Sequence, residues 1–190
     1  MILDAPIRFL LILASDESDE APNREMRVTR IAPPYYLFKD LGVEVVLATP
    51  LGGFPAMCED LPPSSPADDA TRRFMADRGA RDDLADTLSL QQIVVEDFDA
   101  AFCIGFAGSI WDGDNLGIAS VIKAFLTSRK PLALVPGSDL DVAPDGAGAG
   151  LLIVGDSEES PLLAAHALIK VVQEQRRLRD TAGPAPRMTR

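Results

Sequence analysis

One histidine and two cysteines are all that 190 residues supply of the side chains most used in nucleophilic and metal chemistry. Two cysteines make no disulfide framework, so a reduced, cytoplasmic setting is expected and stability must come from a packed core. No histidine or cysteine pair stands at ligand spacing. The carboxylates of "DSEES", "DGD" and "ADD" match no zinc or calcium pattern and read as acidic surface loops. No metal and no other cofactor is expected. Long apolar runs are missing too: nothing approaches the roughly 20 residues that cross a bilayer. The start "MILDAPIRFLLILAS" has Asp4 and Pro6 before its apolar stretch and no basic leader, so it reads as a first core strand. Positive charge is scarce, with 18 basic against 29 acidic residues and a net charge of -11. Such a chain repels nucleic-acid phosphates and anionic lipid, which argues against both as partners.

Hydrophobic residues make up 47% and charged residues 25% of the chain. That is an ordinary globular balance, and the length suits a single domain. The domain is expected over 1–178, with 179–190, rich in Pro, Gly and basic residues, as a flexible tail. "IRFLLILAS" is a continuous apolar run of strand length, and "DLGVEVVLATP", "FDAAFCIGF" and "KPLALVPG" hold three more. Runs of this kind belong to strands buried on both faces of a parallel sheet. Between them lie helical patterns. "APPYYLFKDLG" opens on prolines suited to a first turn and ends on Gly42 as a cap. "ATRRFMADRGARDDLADTLSLQQIV" reads as one or two short helices. "DNLGIASVIKAFLTSRK" is a helix with basic residues in its last turns, "LLIVG" a short last strand, and "SEESPLLAAHALIKVVQEQRRL" a C-terminal helix that Ser157 or Ser160 can cap. The alternation predicts an α/β fold with a doubly wound, mostly parallel sheet, whose sites lie at the carboxyl ends of the strands.

The stretch "KPLALVPGSDL" therefore matters most: a buried strand runs into a tight turn of Pro136, Gly137, Ser138 and Asp139. "IAPPYYLFKDLGVEVVLATPLGG", "ADTLSLQQIVVEDFDAAF", "WD" before a helix, "APDG" and "DSEE" closely resemble the ThiJ/PfpI family of the class I glutamine-amidotransferase-like superfamily. The resemblance is to its branch with chaperone-type and glyoxalase-III-type members, in matching order over residues 7 to 160. It implies a flavodoxin-like three-layer sandwich, usually a homodimer. It also implies a cysteine on a strained strand-to-helix turn, a histidine beside it and a glutamate against the thiol, where turn, helix N-terminus and neighbours set the thiol's pKa.

Carried over position by position, that machinery is missing. The family's Ala-Val-Cys-His falls on Leu134, Val135, Pro136 and Gly137, so the nucleophile position is Pro136. The glutamate, four residues before the proline of "PYY", falls on Arg30, with Thr29 beside it. The Gly-Gly-His-Gly strand end falls on Gly105, Phe106, Ala107 and Gly108. Between the elbow and "APDG" this chain is also several residues shorter, and a shifted gap would move Ser138 or Asp139 onto the elbow. Proline carries no nucleophile and fixes φ near the helical value, against the strained elbow.

Other candidates read plainly. Cys103, near the end of a strand, reads as a small buried hydrophobe, and Cys58, beside Glu59 and Asp60, as a surface thiol. His166 lies on the C-terminal helix and reads as a helix-face or interface histidine. Trp111 and Asp112 match the family's "WD" at the cleft rim, and Glu158 and Glu159 its acidic pair, or simple helix-start charges. Arg30 either turns outward into an ion pair or, with the amides of Gly105 and Gly108, makes a cleft for a small anion. The leading expectation is a catalytically silent member that binds a small ligand or partner protein, with Arg30, Gly105, Phe106, Gly108, Trp111 and Asp112 as ligand candidates. An enzyme with a relocated nucleophile, Ser138, Asp139 or Cys103, is the rival. A holdase-type chaperone, with an exposed apolar patch around Tyr35, Tyr36 and Leu37 or on the C-terminal helix, is the third.

Overall fold

Apolar runs without polar alternation cannot tolerate a wet face, and each of the long ones becomes an inner strand. The computed structural model describes residues 6–13, 26–55, 57, 68–106, 117–136, 152–154 and 160–181. Its strands are β1 (Arg8–Leu13), β2 (Glu44–Thr49), β3 (Leu88–Ser89), β4 (Ala100–Phe106), β5 (Leu132–Pro136) and β6 (Leu152–Val154), and its helices α1 (Val28–Asp40), α2 (Asp69–Ala76), α3 (Arg78–Ala85), α4 (Ile118–Thr127) and α5 (Ser160–Thr181). The strands form one sheet in the order β3-β2-β1-β4-β5-β6, every described pair parallel. The order reverses at β1, which pairs Leu11 with Leu47 on one side and Phe102 on the other. This is the doubly wound α/β architecture that the sequence pattern predicts.

Alternate residues of each strand feed two separate cores. Phe9, Leu11, Leu13, Phe102, Ile104, Ala133 and Val135 pack under α1, α2, α3 and α5. Leu10, Ile12, Ala101, Cys103, Leu132 and Leu134 pack under α4 and the turns around Leu90 and Val95. Helices on both faces of the sheet complete the three layers.

Several local readings are corrected. α1 starts at Val28, and Pro33 and Pro34 sit inside it, not in its first turn. Their missing N–H groups withdraw the usual donors to the Thr29 and Arg30 carbonyls. The buried set Val28, Ile31, Ala32, Tyr35, Tyr36 and Phe38 repeats at three- and four-residue steps and holds the helix against the sheet regardless. Tyr35 and Tyr36 are thus core residues; Tyr36 and the half-buried Leu37 reach the wall of a groove shared with Leu162 and Leu163, which with Leu178 are exposed on α5. Arg129 and Lys130 lie beyond the end of α4. The Lys130 ammonium donates to the carbonyls of Val95, Glu96 and Phe98 at 2.5 to 3.0 Å, tying that turn to the foot of β5. β3, two residues long, carries too little pattern to be read from sequence. It is placed by Thr87, whose hydroxyl lies 2.8 Å from the Thr49 hydroxyl, and by the Gly53 N–H bonded to the Thr87 carbonyl.

Candidate functional site

Strand order reverses at β1, and the carboxyl ends of the strands at such a reversal are the place where open α/β sheets bind ligands. β4 ends there with a bulge. Ile104 pairs with Val135 and Phe106 with Pro136, so Gly105 is the extra residue, at φ 90°. Only glycine takes that conformation without cost, which explains Gly105 at this strand end. Pro136 is the last paired residue of β5, opposite Phe106. Its ring holds φ negative, and among the described residues Arg129 alone takes a positive φ without being glycine. Gly108, Trp111, Asp112, Gly137, Ser138, Asp139, Cys58, Glu158 and Glu159 lie outside the described residues.

Cys103 points away from the α1 face into the apolar core beneath α4, fully buried. Burial pushes its thiol pKa well up, so thiolate is not available there.

Arg30 belongs to a different concavity. It lines a groove of about 860 Å³ between α1, α2 and the start of α5, together with Thr29, Pro33, Leu37, Arg73, Leu162 and His166. The structure brings Arg30 and His166 into one groove; Gly105 and Pro136 are not among its walls. The groove was not legible in the sequence, because it needs α2 and α5 laid side by side against α1. Its charges are mostly matched. Asp40 pairs with Arg73 at 2.8 Å, Asp69 with Arg72, and Asp68 caps α2 through the Thr71 N–H. The hydrogen bond from Arg73 holds the Asp40 carboxyl below its ordinary range.

Beneath the groove lies a hydrogen-bonded tyrosine pair. The Tyr35 hydroxyl donates to Asp83 at 2.7 Å and accepts from Lys39 at 2.7 Å; the Tyr36 hydroxyl donates to Asp77 at 3.0 Å. Arg73 stacks 3.9 Å from the centre of the Tyr36 ring. Burial, and then the bond to Asp77, push the Tyr36 phenol up to about 12, and burial with the bond to Asp83 raises Tyr35 further. The bond from Tyr36, reinforced by the Ala80 N–H, lowers Asp77. Among the described residues no cluster of His, Cys, Asp and Glu can hold a metal ion, and no helix is long and apolar enough to cross a membrane.

No family model matches the chain, and no curated protein does. Solved structures do. Glyoxalase III from Candida albicans is 13% identical, with 86% of this chain and 96% of that one covered at a TM-score of 0.60. The Rapid Encystment Protein of Francisella tularensis is 15% identical, with 87% and 99% covered at 0.62. A ThiJ/PfpI domain protein from Brachyspira murdochii is 13% identical, with 88% and 96% covered at 0.54. Likeness at these identities speaks for the fold, and the fold is that of the ThiJ/PfpI domain proteins, as the sequence resemblance implied.

Proposed function

We propose that this protein is a ThiJ/PfpI-type protein without thiol catalysis, a homodimer in a reducing compartment that acts by binding a small anion or a partner protein. The observation that carries the reading is the end of β5. The position that resemblance assigns to the nucleophile is Pro136, still paired within the sheet, while the one described thiol, Cys103, is buried in the opposite core. The glutamate position, Arg30, is a cation on a groove wall. Losing nucleophile, histidine and acid together removes the chemistry in a way that one substitution would not. Arg30 in its groove and, as a separate place, the β4 end at Gly105, Phe106 and Gly108 with Trp111 and Asp112 are the proposed ligand contacts; the single cleft expected to join them is not formed, because Arg30 lies on the α1–α2–α5 groove.

The test is direct. Purified protein mixed with methylglyoxal should produce no lactate above a protein-free control, and iodoacetamide should leave Cys103 unlabelled until urea unfolds the chain. Phosphate or acetate should raise the melting temperature, as any ligand selective for the folded state does, and Arg30→Ala should remove that rise. Turnover that disappears in Ser138→Ala or Cys103→Ala overturns the proposal in favour of a relocated nucleophile.

A further inference from the structure

α2 and α3 are eight residues each and joined through Asp77 alone. Thr71 and Phe74 are the buried residues of α2, and Ala80 and Leu84 those of α3, against seven in α1. So little apolar burial gives the pair a small share of the folding free energy. What fastens it to α1 is a row of polar ties: Tyr35 to Asp83, Tyr36 to Asp77, Arg73 to Asp40 and Lys39 to Asp83 at 3.5 Å. Two of these are exposed ion pairs, which contribute little in water. The two tyrosine bonds cross from the core to the clip and are the stronger pair, since each ends on a carboxylate.

We infer that α2 and α3 form a clip that opens from α1 as one unit while the sheet stays folded, uncovering Tyr35, Tyr36 and Phe74. The three rings lie edge to face, with centroids 5.1 to 6.2 Å apart, and both tyrosines belong to the helix while Phe74 belongs to the clip. Opening therefore splits the aromatic cluster along the polar seam. It also removes the groove wall formed by Asp68, Asp69, Ala70 and Arg73. A molecule that bridges Arg30 and Arg73 binds the closed clip alone and so shifts the equilibrium toward it.

Both tyrosines of the chain lie under the clip, so tyrosine reactivity reports it specifically. In native-state hydrogen exchange, amides over 69–85 should exchange together and with a weaker urea dependence than those of β1 and β4. Tyr36→Phe should speed exchange in α2 and α3 alike by about three- to tenfold, the equivalent of one hydrogen bond, and leave β1 and β4 unchanged. In the unmodified protein, acetylation of tyrosine by N-acetylimidazole should rise at urea concentrations below the far-ultraviolet transition, which decides the matter even if the variant does not fold. Tyrosine reactivity that tracks global unfolding, or α2 and α3 responding separately to Tyr36→Phe, overturns the inference.

Discussion

α1 and α4 do the same work on opposite faces of one sheet, each carrying the chain from one parallel strand to the next, yet they are held by different forces. α4 rests on apolar contact with no ring pair of its own among the described residues: Ile118, Ile122, Phe125 and Leu126 meet Leu10, Ile12, Cys103, Leu132 and Leu134. α1 adds to its apolar stripe a chain of rings, Phe38 against Phe9 at 5.0 Å and against Phe102 at 5.5 Å, and the two tyrosine hydroxyls bonded to acids. The α4 face is therefore held by packing and by the Lys130 bonds at its end, whereas the α1 face answers to packing and to proton concentration.

The largest expected effect tests the packing half. Phe125→Ala and Phe38→Ala each remove a fully buried ring and should cost about 3–5 kcal/mol. Phe38→Ala should be the costlier, because two edge-to-face contacts add about 0.5–1.5 kcal/mol each beyond burial. Urea denaturation of the two variants measures the order, and a larger loss at Phe125 would remove the distinction drawn between the faces.

The next effect separates the faces by pH. A phenol whose pKa is raised in the fold contributes stability that is complete below the ordinary value of about 10 and lost as pH climbs through the folded one. For Tyr36 the loss runs from there up to about 12. Asp40 and Asp77 have lowered pKa values, held down by Arg73 and by Tyr36 respectively. Their contribution is present above the ordinary carboxylate value and fades as pH falls below it. The α1 face should accordingly loosen at both extremes. A spectrophotometric titration should show no tyrosinate absorbance through the ordinary phenol range, and Tyr36→Phe should flatten the acid limb of the stability curve, its cost shrinking as pH falls and Asp77 is protonated in both proteins. A normal tyrosine titration in the folded protein would sink this account.

The strands legible in the sequence are those with an uninterrupted apolar signature: β1, β2, β4 and β5, and the short β6 within "LLIVG". Where an element owes its place to a partner, the reading stopped. β3 exists because Thr87 and Thr49 meet, and no local pattern announces that. The prolines of "APPYYLFKDLG" suit a first turn in the sequence, but tertiary packing of Val28 and Ile31 extends the helix back past them. The site divides the same way. Gly105 is a strand end in the sequence through the family resemblance, and Pro136, expected in the turn, is the last paired residue of β5, while the groove holding Arg30 and His166 requires three helices that share no sequence neighbourhood.

The smallest effect concerns how the two helices end. Both close with the same six-residue turn. Gly42 donates to the Lys39 carbonyl and Val43 to Phe38, both at 3.0 Å; Arg129 donates to Leu126 at 3.0 Å and Lys130 to Phe125 at 2.9 Å. The turn needs one residue in the left-handed region, and α1 supplies Gly42 at φ 77° while α4 supplies Arg129 at φ 56°. A side chain there costs about 1–2 kcal/mol, partly offset because glycine has more freedom to lose on folding. Gly42→Ala should destabilise by about 1 kcal/mol through strain alone, since a methyl at that site meets nothing within 4 Å. Arg129→Gly should do the reverse and stabilise by a similar or smaller amount. The strained arginine persists because the turn delivers Lys130 onto its three carbonyls, and those bonds outweigh it. If Arg129→Gly lowers the melting temperature instead, the arginine side chain contributes to the α4 end, and the two turns are not equivalent.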